Sequence, residues 1–131
     1  MKTPIAEDDF TSRLLLQELL KCYGPVHVAV NGKEAVEAVR LALEAVEPYD
    51  LICLDIMMPK MDGQEALKEI RRIETAAGVA ASKRARIVMT TALADRENVM
   101  EAIRGSCDYF LTKPIQKAKL LEELRALALV A

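Results

Sequence analysis

This 131-residue chain has little histidine (one), little cysteine (three, scattered) and a net charge of only −2, and each scarcity removes a function class. A lone His27 argues against a zinc centre. Cys22, Cys53 and Cys107 are odd in number, far apart and form no C-x-x-C pair, so they read as reduced thiols of a cytoplasmic protein. With 18 basic and 20 acidic residues interspersed, there is no basic footprint for nucleic acid and no acidic tail. No apolar run approaches the ~20 residues needed to span a bilayer, and the opening MKTPIAEDDF does not read as a signal peptide. Internal repeats, low-complexity segments and domain linkers are missing too. The length suits a single domain, residues 1–131, with one core.

What is there is organised around LICLDIMMPKMDG, Leu51 to Gly63. Leu51 to Leu54 run without alternation into Asp55, as in a strand buried on both faces of a parallel sheet. Pro59 and Asp62-Gly63 are turn chemistry. Asp55 is therefore expected at the carboxyl end of an interior strand, where open α/β sheets place their ligand sites.

The flanking segments alternate between strand and helix periods. A short strand carrying Pro4 precedes Glu7-Asp8-Asp9, and a helix over 10–23 follows with the stripe Leu15, Leu16, Leu19 and Leu20. VHVAV, residues 26–30, reads as a strand with a partly exposed His27, and Asn31-Gly32 turns into a helix over 33–47 that buries Val36, Val39, Leu43 and Val46. A third helix over 63–73 buries Ala66, Leu67, Ile70 and Ile73. Residues 75–85 have no clear period: the alanines allow the helix to extend to Ala77, Gly78 ends it, and Lys83, Arg84 and the following Arg86 read as a solvated connection. A strand over 87–89, a helix from Asp95 to Gly105, a strand over 109–111 and a helix over 117–129 complete the pattern. Five βα units with short links predict a single five-stranded parallel sheet with helices on both faces and right-handed crossovers.

Parallel strands end at one edge, which gathers Glu7-Asp8, Asp55, Thr91 and Lys113. Three carboxylates meeting there repel unless a cation joins them, and a hard divalent ion such as Mg²⁺ suits an all-oxygen donor set. Carboxylates, metal, ammonium and hydroxyl together suit a phosphoryl group, with Asp55 as the nucleophile that forms an acyl phosphate.

With these residues in place, the whole chain resembles a response-regulator receiver domain, the CheY-like family of two-component signalling, which implies a flavodoxin-like (βα)5 sheet of strand order 2-1-3-4-5. The marks are Glu7-Asp8 after the first strand, Asp55 followed by IMMPKMDG, the step Thr91-Ala92, and Lys113-Pro114, in the family's order. The resemblance implies that Asp55 accepts phosphate from a histidine kinase or a histidine phosphotransfer protein. It implies that Asp8, Asp55 and the backbone carbonyl of Met57 bind Mg²⁺ directly, with Glu7 acting through water. The acidic pair is set at Glu7-Asp8 because Arg13 then falls where many relatives carry arginine, leaving Asp9 to cap the helix; Asp9 completing the pair is the alternative register. Lys113 is expected on the phosphoryl oxygens, Lys113-Pro114 as a cis peptide, and Thr91 with Phe110 as the switch pair. An ordinary core aromatic is the competing reading of Phe110.

The same resemblance places the output face at residues 95–104, 109–111 and 117–129, and the donor-docking face near Phe10, Thr11, Leu14 and Ile115. The connections after the second and third strands are longer than is usual in the family, and the excess is expected on the sheet edges away from the pocket. Met57 and Leu93, on the pocket rim, are apolar and cannot orient water, which predicts a long-lived phosphorylated state. Expected overall is a stand-alone phosphorylation-operated binding module rather than an enzyme, dimerising through its output face as one outcome. A relay intermediate, a receiver excised from a hybrid kinase and, more distantly, an aspartyl-nucleophile Mg²⁺-dependent phosphohydrolase are the alternatives. The phosphohydrolase generally wants an acid where Met57 stands.

Overall fold

A computed structural model describes residues 1–56, 58, 60–91, 107–127 and 129. Five parallel strands form one sheet in the order β2-β1-β3-β4-β5: β1 Thr3–Ala6, β2 Val26–Ala29, β3 Leu51–Asp55, β4 Arg86–Thr91 and β5 Tyr109–Thr112. Four helices are described: α1 Phe10–Leu20, α2 Gly32–Glu44, α3 Gly63–Ala76 and α4 Lys117–Ala126, with single 3-10 turns at Lys21–Tyr23 and Ala81–Lys83. The helix expected between Asp95 and Gly105 lies outside the described residues.

Every residue of β3 is buried, as its unbroken apolar run requires. The pleat sends Ile52 and Leu54 to one core, with Ala35, Val39, Leu67 and Ile70 of α2 and α3. Leu51 and Cys53 go to the other, with Leu16 and Leu20 of α1 and Leu120 and Leu124 of α4. Pro4 is tolerated in interior β1 because pairing with β3 begins only at Ile5.

Three acid or amide side chains start three helices. Asp9 accepts from Ser12 N at 3.0 Å, Asn31 from Glu34 N at 2.9 Å and Asp62 from Glu65 N at 2.9 Å. Asp9 is thus the cap of α1.

Several expectations need correction. Leu15 is 37% exposed, so the α1 stripe is narrower than its four leucines suggested. The second helix stops at Glu44, and Val46, at φ 55°, is 84% exposed rather than buried. Glu47 N donates to Ala42 O, closing the helix before Pro48. The third helix ends at Ala76, within the extension to Ala77 that its alanines allow, but its buried face includes Arg71 and Glu74, which no apolar period could reveal. The last helix ends at Ala126 rather than 129. Arg86 is not simply solvated: its Nη1 lies 3.4 Å from Asp108 Oδ1.

Candidate functional site

β1 and β3 are adjacent, with Ala6 opposite Leu54, so the residues that follow them emerge side by side. Glu7 is fully buried, Asp55 is 3% exposed, and Asp8 is exposed. One oxygen from each of Glu7, Asp8 and Asp55 falls within 4.8 Å of the others. Lys113, delivered by the end of β5, donates from Nζ to Glu7 Oε2 at 3.0 Å and to Asp55 Oδ2 at 3.2 Å. Glu7 Oε1 is 2.9 Å from the same ammonium, yet among the described residues no donor makes a hydrogen bond to it. Asp9 N donates to Glu7 Oε2 at 3.2 Å and Arg13 Nη1 to the Glu7 carbonyl at 3.2 Å, fixing the start of the loop.

Three carboxyls face one ammonium, and the electrostatics show it. Burial, then a hydrogen bond with Glu7 and the charge on Glu7, push the Asp55 carboxyl up to about 8 against the opposing pull of Lys113. Burial works to lower Lys113, but hydrogen bonding to Glu7 and the charges of Asp55 and Glu7 outweigh it and raise its pKa. Among the described residues the donor set is oxygen only, clustered, and opposed by the single ammonium of Lys113. These are the features a small hard cation such as Mg²⁺ satisfies.

Thr91, 3% exposed, ends β4, and its carbonyl accepts from Lys113 N at 2.7 Å. Thr90 sits opposite Asp55 in the register. The Lys113-Pro114 peptide is cis. Phe110 is half-buried against the core on the α2–α3 face and stacks with Tyr109 at 5.9 Å between ring centroids. Beside it, a cleft of about 410 Å³ is lined by Phe110, Lys113, Gln116 and Lys119 among others. Met57, Ala92, Leu93 and the segment 95–104 lie outside the described residues. Of the surface expected near α1, Phe10 and Leu14 are 66% and 46% exposed and Thr11 is also exposed, but Ile115 is a 7% exposed core residue. Its side chain joins the cluster of Leu16, Leu20 and Leu120 and is not available for docking.

An acidic, cation-seeking pocket at the carboxyl edge of a doubly wound sheet defines the class. The chain belongs to the response regulator receiver domain family, whose model matches residues 4–125. It is similar to chemotaxis protein CheY of Bacillus subtilis, 33% identical over 125 residues that cover 92% of this chain and 91% of that protein. It is also similar to the sensory/regulatory protein RpfC of Xanthomonas campestris, 34% identical over 128 residues, covering 98% of this chain but 16% of that protein. Among solved structures, the receiver domain of a histidine kinase from Arabidopsis thaliana, complexed with Mg²⁺ and BeF3⁻, is 31% identical with a TM-score of 0.78, covering 95% of this chain and 89% of that one.

Proposed function

We propose that this chain is a phosphorylation-operated switch in which Asp55 accepts a phosphoryl group from a histidine kinase or histidine phosphotransfer protein. The observation that carries the reading is the buried Asp55 carboxyl, within reach of two further carboxyls and 3.2 Å from Lys113 Nζ. An Asp55 oxygen forms the bond to phosphorus as the donor's P–N bond breaks, and the electron pair returns to the imidazole nitrogen. Glu7, Asp8 and Asp55, with the carbonyl of Met57, are the residues that would hold Mg²⁺, which supplies charge neutralisation at the phosphoryl oxygens when bound. Lys113 exchanges part of its pairing with Glu7 and Asp55 for contact with those oxygens. Thr91 and Phe110 form the switch pair, and the added charge shifts the balance of states through the contacts it makes in each.

The output is a protein contact through residues 95–104, β5 and α4, and the cleft beside Phe110 opens along β5 and the start of α4. Phe10 and Leu14 form the apolar part of the donor-docking face. We read the chain as acting on an effector protein, as its similarity to chemotaxis protein CheY favours. The match to one segment of RpfC favours the second reading, a relay receiver. Rapid transfer from phosphorylated Asp55 to a histidine phosphotransfer domain selects the relay. No helix among the described residues is long and apolar enough to cross a membrane.

Intact mass after incubation with acetyl phosphate tests the reading. One Mg²⁺-dependent phosphoryl adduct is expected on wild type and none on Asp55→Asn. Failure of folded wild type to take phosphate from either acetyl phosphate or a cognate kinase would overturn it.

A further inference from the structure

The Asn31-Gly32 step reads in sequence as an ordinary turn, but the structure puts it against the loop that leaves Asp55. Gly32 opens α2, and its amide is one of the helix-start donors that no helical carbonyl can satisfy. That amide donates to the carbonyl of Met61 at 3.0 Å. A β-carbon on residue 32 would lie 2.3 Å from the Met61 oxygen and 3.0 Å from both its carbonyl carbon and its Cγ. Only glycine permits this approach, since the obstacle is backbone and cannot rotate away.

The other end of the same loop is fastened as closely. Gly63 N donates to Ile56 O at 2.9 Å, Ile56 N donates to Thr90 O at 2.9 Å, and a β-carbon on Gly63 would lie 2.2 Å from the carbonyl oxygen of Asp55. Lys60 turns the chain between them at φ 66°. The path from Gly32 to Asp55 therefore consists of short, directional backbone contacts with little slack.

We propose that Gly32 is a positioning residue for the phosphoacceptor site: its amide and its missing side chain set the β3–α3 loop that leads out of Asp55, and through it the geometry of the Mg²⁺ donor set. The inference rests on the reading of Glu7, Asp8 and Asp55 as that donor set. Gly32 touches none of them, so its effect is on placement alone. A side chain there forces the Met61 carbonyl outward, and displaced supporting groups around a metal typically cost ten- to a hundredfold in affinity.

The test is Mg²⁺ titration of the purified protein, followed by amide shifts of Glu7, Asp8 and Asp55, with melting temperature measured on the same samples. Gly32→Ala is expected to weaken Mg²⁺ binding about tenfold. Gly78→Ala, at φ 77° with no atom within 4 Å of the added carbon, is the matched destabilised control and should leave affinity within about twofold. Equal affinity of wild type and Gly32→Ala, or equal weakening by Gly78→Ala, overturns the positioning role while leaving the donor set intact. Wild type that binds no Mg²⁺ overturns the donor set itself, and the inference with it. Should Gly32→Ala not fold, hydrogen exchange of the Gly32 amide in wild type decides: saturating Mg²⁺ must slow it several-fold, because coupling between the two sites is reciprocal. An unchanged rate overturns the proposal.

Discussion

Two buried charge clusters sit at opposite edges of the same sheet, and they are built in opposite ways. At the amino edge, Arg71 of α3 donates to Glu74 Oε1 at 2.7 Å, to the Ala85 carbonyl at 2.8 Å and to Asp108 Oδ2 at 3.0 Å. Glu74 Oε2 accepts from Ala85 N at 2.8 Å and Asp108 Oδ2 from Ile87 N at 2.7 Å, while Arg86 approaches Asp108 from outside. Two acids meet two arginines. At the carboxyl edge, three acids meet one lysine. The first cluster satisfies its own members and ties α3 and the long 77–85 connection to β4 and to the entry of β5. The second is left short of positive charge, with Asp55 pushed up to about 8. Balance belongs to architecture here, and imbalance to the site that takes a ligand.

The largest effect should come from breaking the balanced cluster. Arg71→Met leaves Glu74 and Asp108 buried without their shared cation and should cost about 3–5 kcal/mol, read by denaturant unfolding. In the unbalanced cluster the sign reverses. A carboxyl whose pKa is raised on folding, from the ordinary 3.8 to about 8 for Asp55, binds more protons in the native state than in the unfolded one. Its stabilising share is complete below about pH 4 and is lost as pH rises through about 8. Metal-free Asp55→Asn should accordingly be more stable than wild type at pH 9, by about 1–3 kcal/mol, with the gain shrinking toward pH 5. A loss at pH 9 would show that the acidic cluster is already neutralised.

The same proton competes with the metal. Below about pH 8, apparent Mg²⁺ affinity should fall with each pH unit, by at most about tenfold, and level off above it; calorimetric titration between pH 6 and 9 reads the slope. The smallest effect separates the third acid from the other two. Asp9 caps α1 through Ser12 N and Oγ, at 3.0 and 2.7 Å, so Asp9→Ala should lower the melting temperature by a few degrees and leave Mg²⁺ affinity unchanged. A large loss of affinity would return Asp9 to the donor set.

Much of this was legible in residue order because it is local chemistry. The apolar run of β3, the cap at Asp9, the turn steps Asn31-Gly32 and Asp62-Gly63, and the strand–helix alternation each depend on neighbours a few positions away. The corrections mark where that logic stops. Arg71 and Glu74 lie three apart on α3, a spacing that reads as a solvated ion pair until Asp108, 37 residues on from Arg71, closes over it. Ile115 was expected at a docking surface by the family resemblance, and burial against Leu16 and Leu20 removed it. Val46 continued an apolar period on paper, but the chain leaves the helix at Ala45, where the Ala42 and Leu43 carbonyls are capped by the residues beyond.

The sequence by itself determined the parallel sheet and the gathering of Glu7, Asp8, Asp55, Thr91 and Lys113 at one edge, because parallel strands all end on the same side; the strand order followed from the likeness to the receiver family. Tertiary structure alone decided which of those acids is buried, that Glu7 rather than Asp8 shares Lys113 with Asp55, and that Gly32 lies against the loop from Asp55. These depend on approaches of a few ångströms between segments distant in the chain, and on burial that raises the cost of unpaired charge. Neither quantity is carried by residue order or spacing.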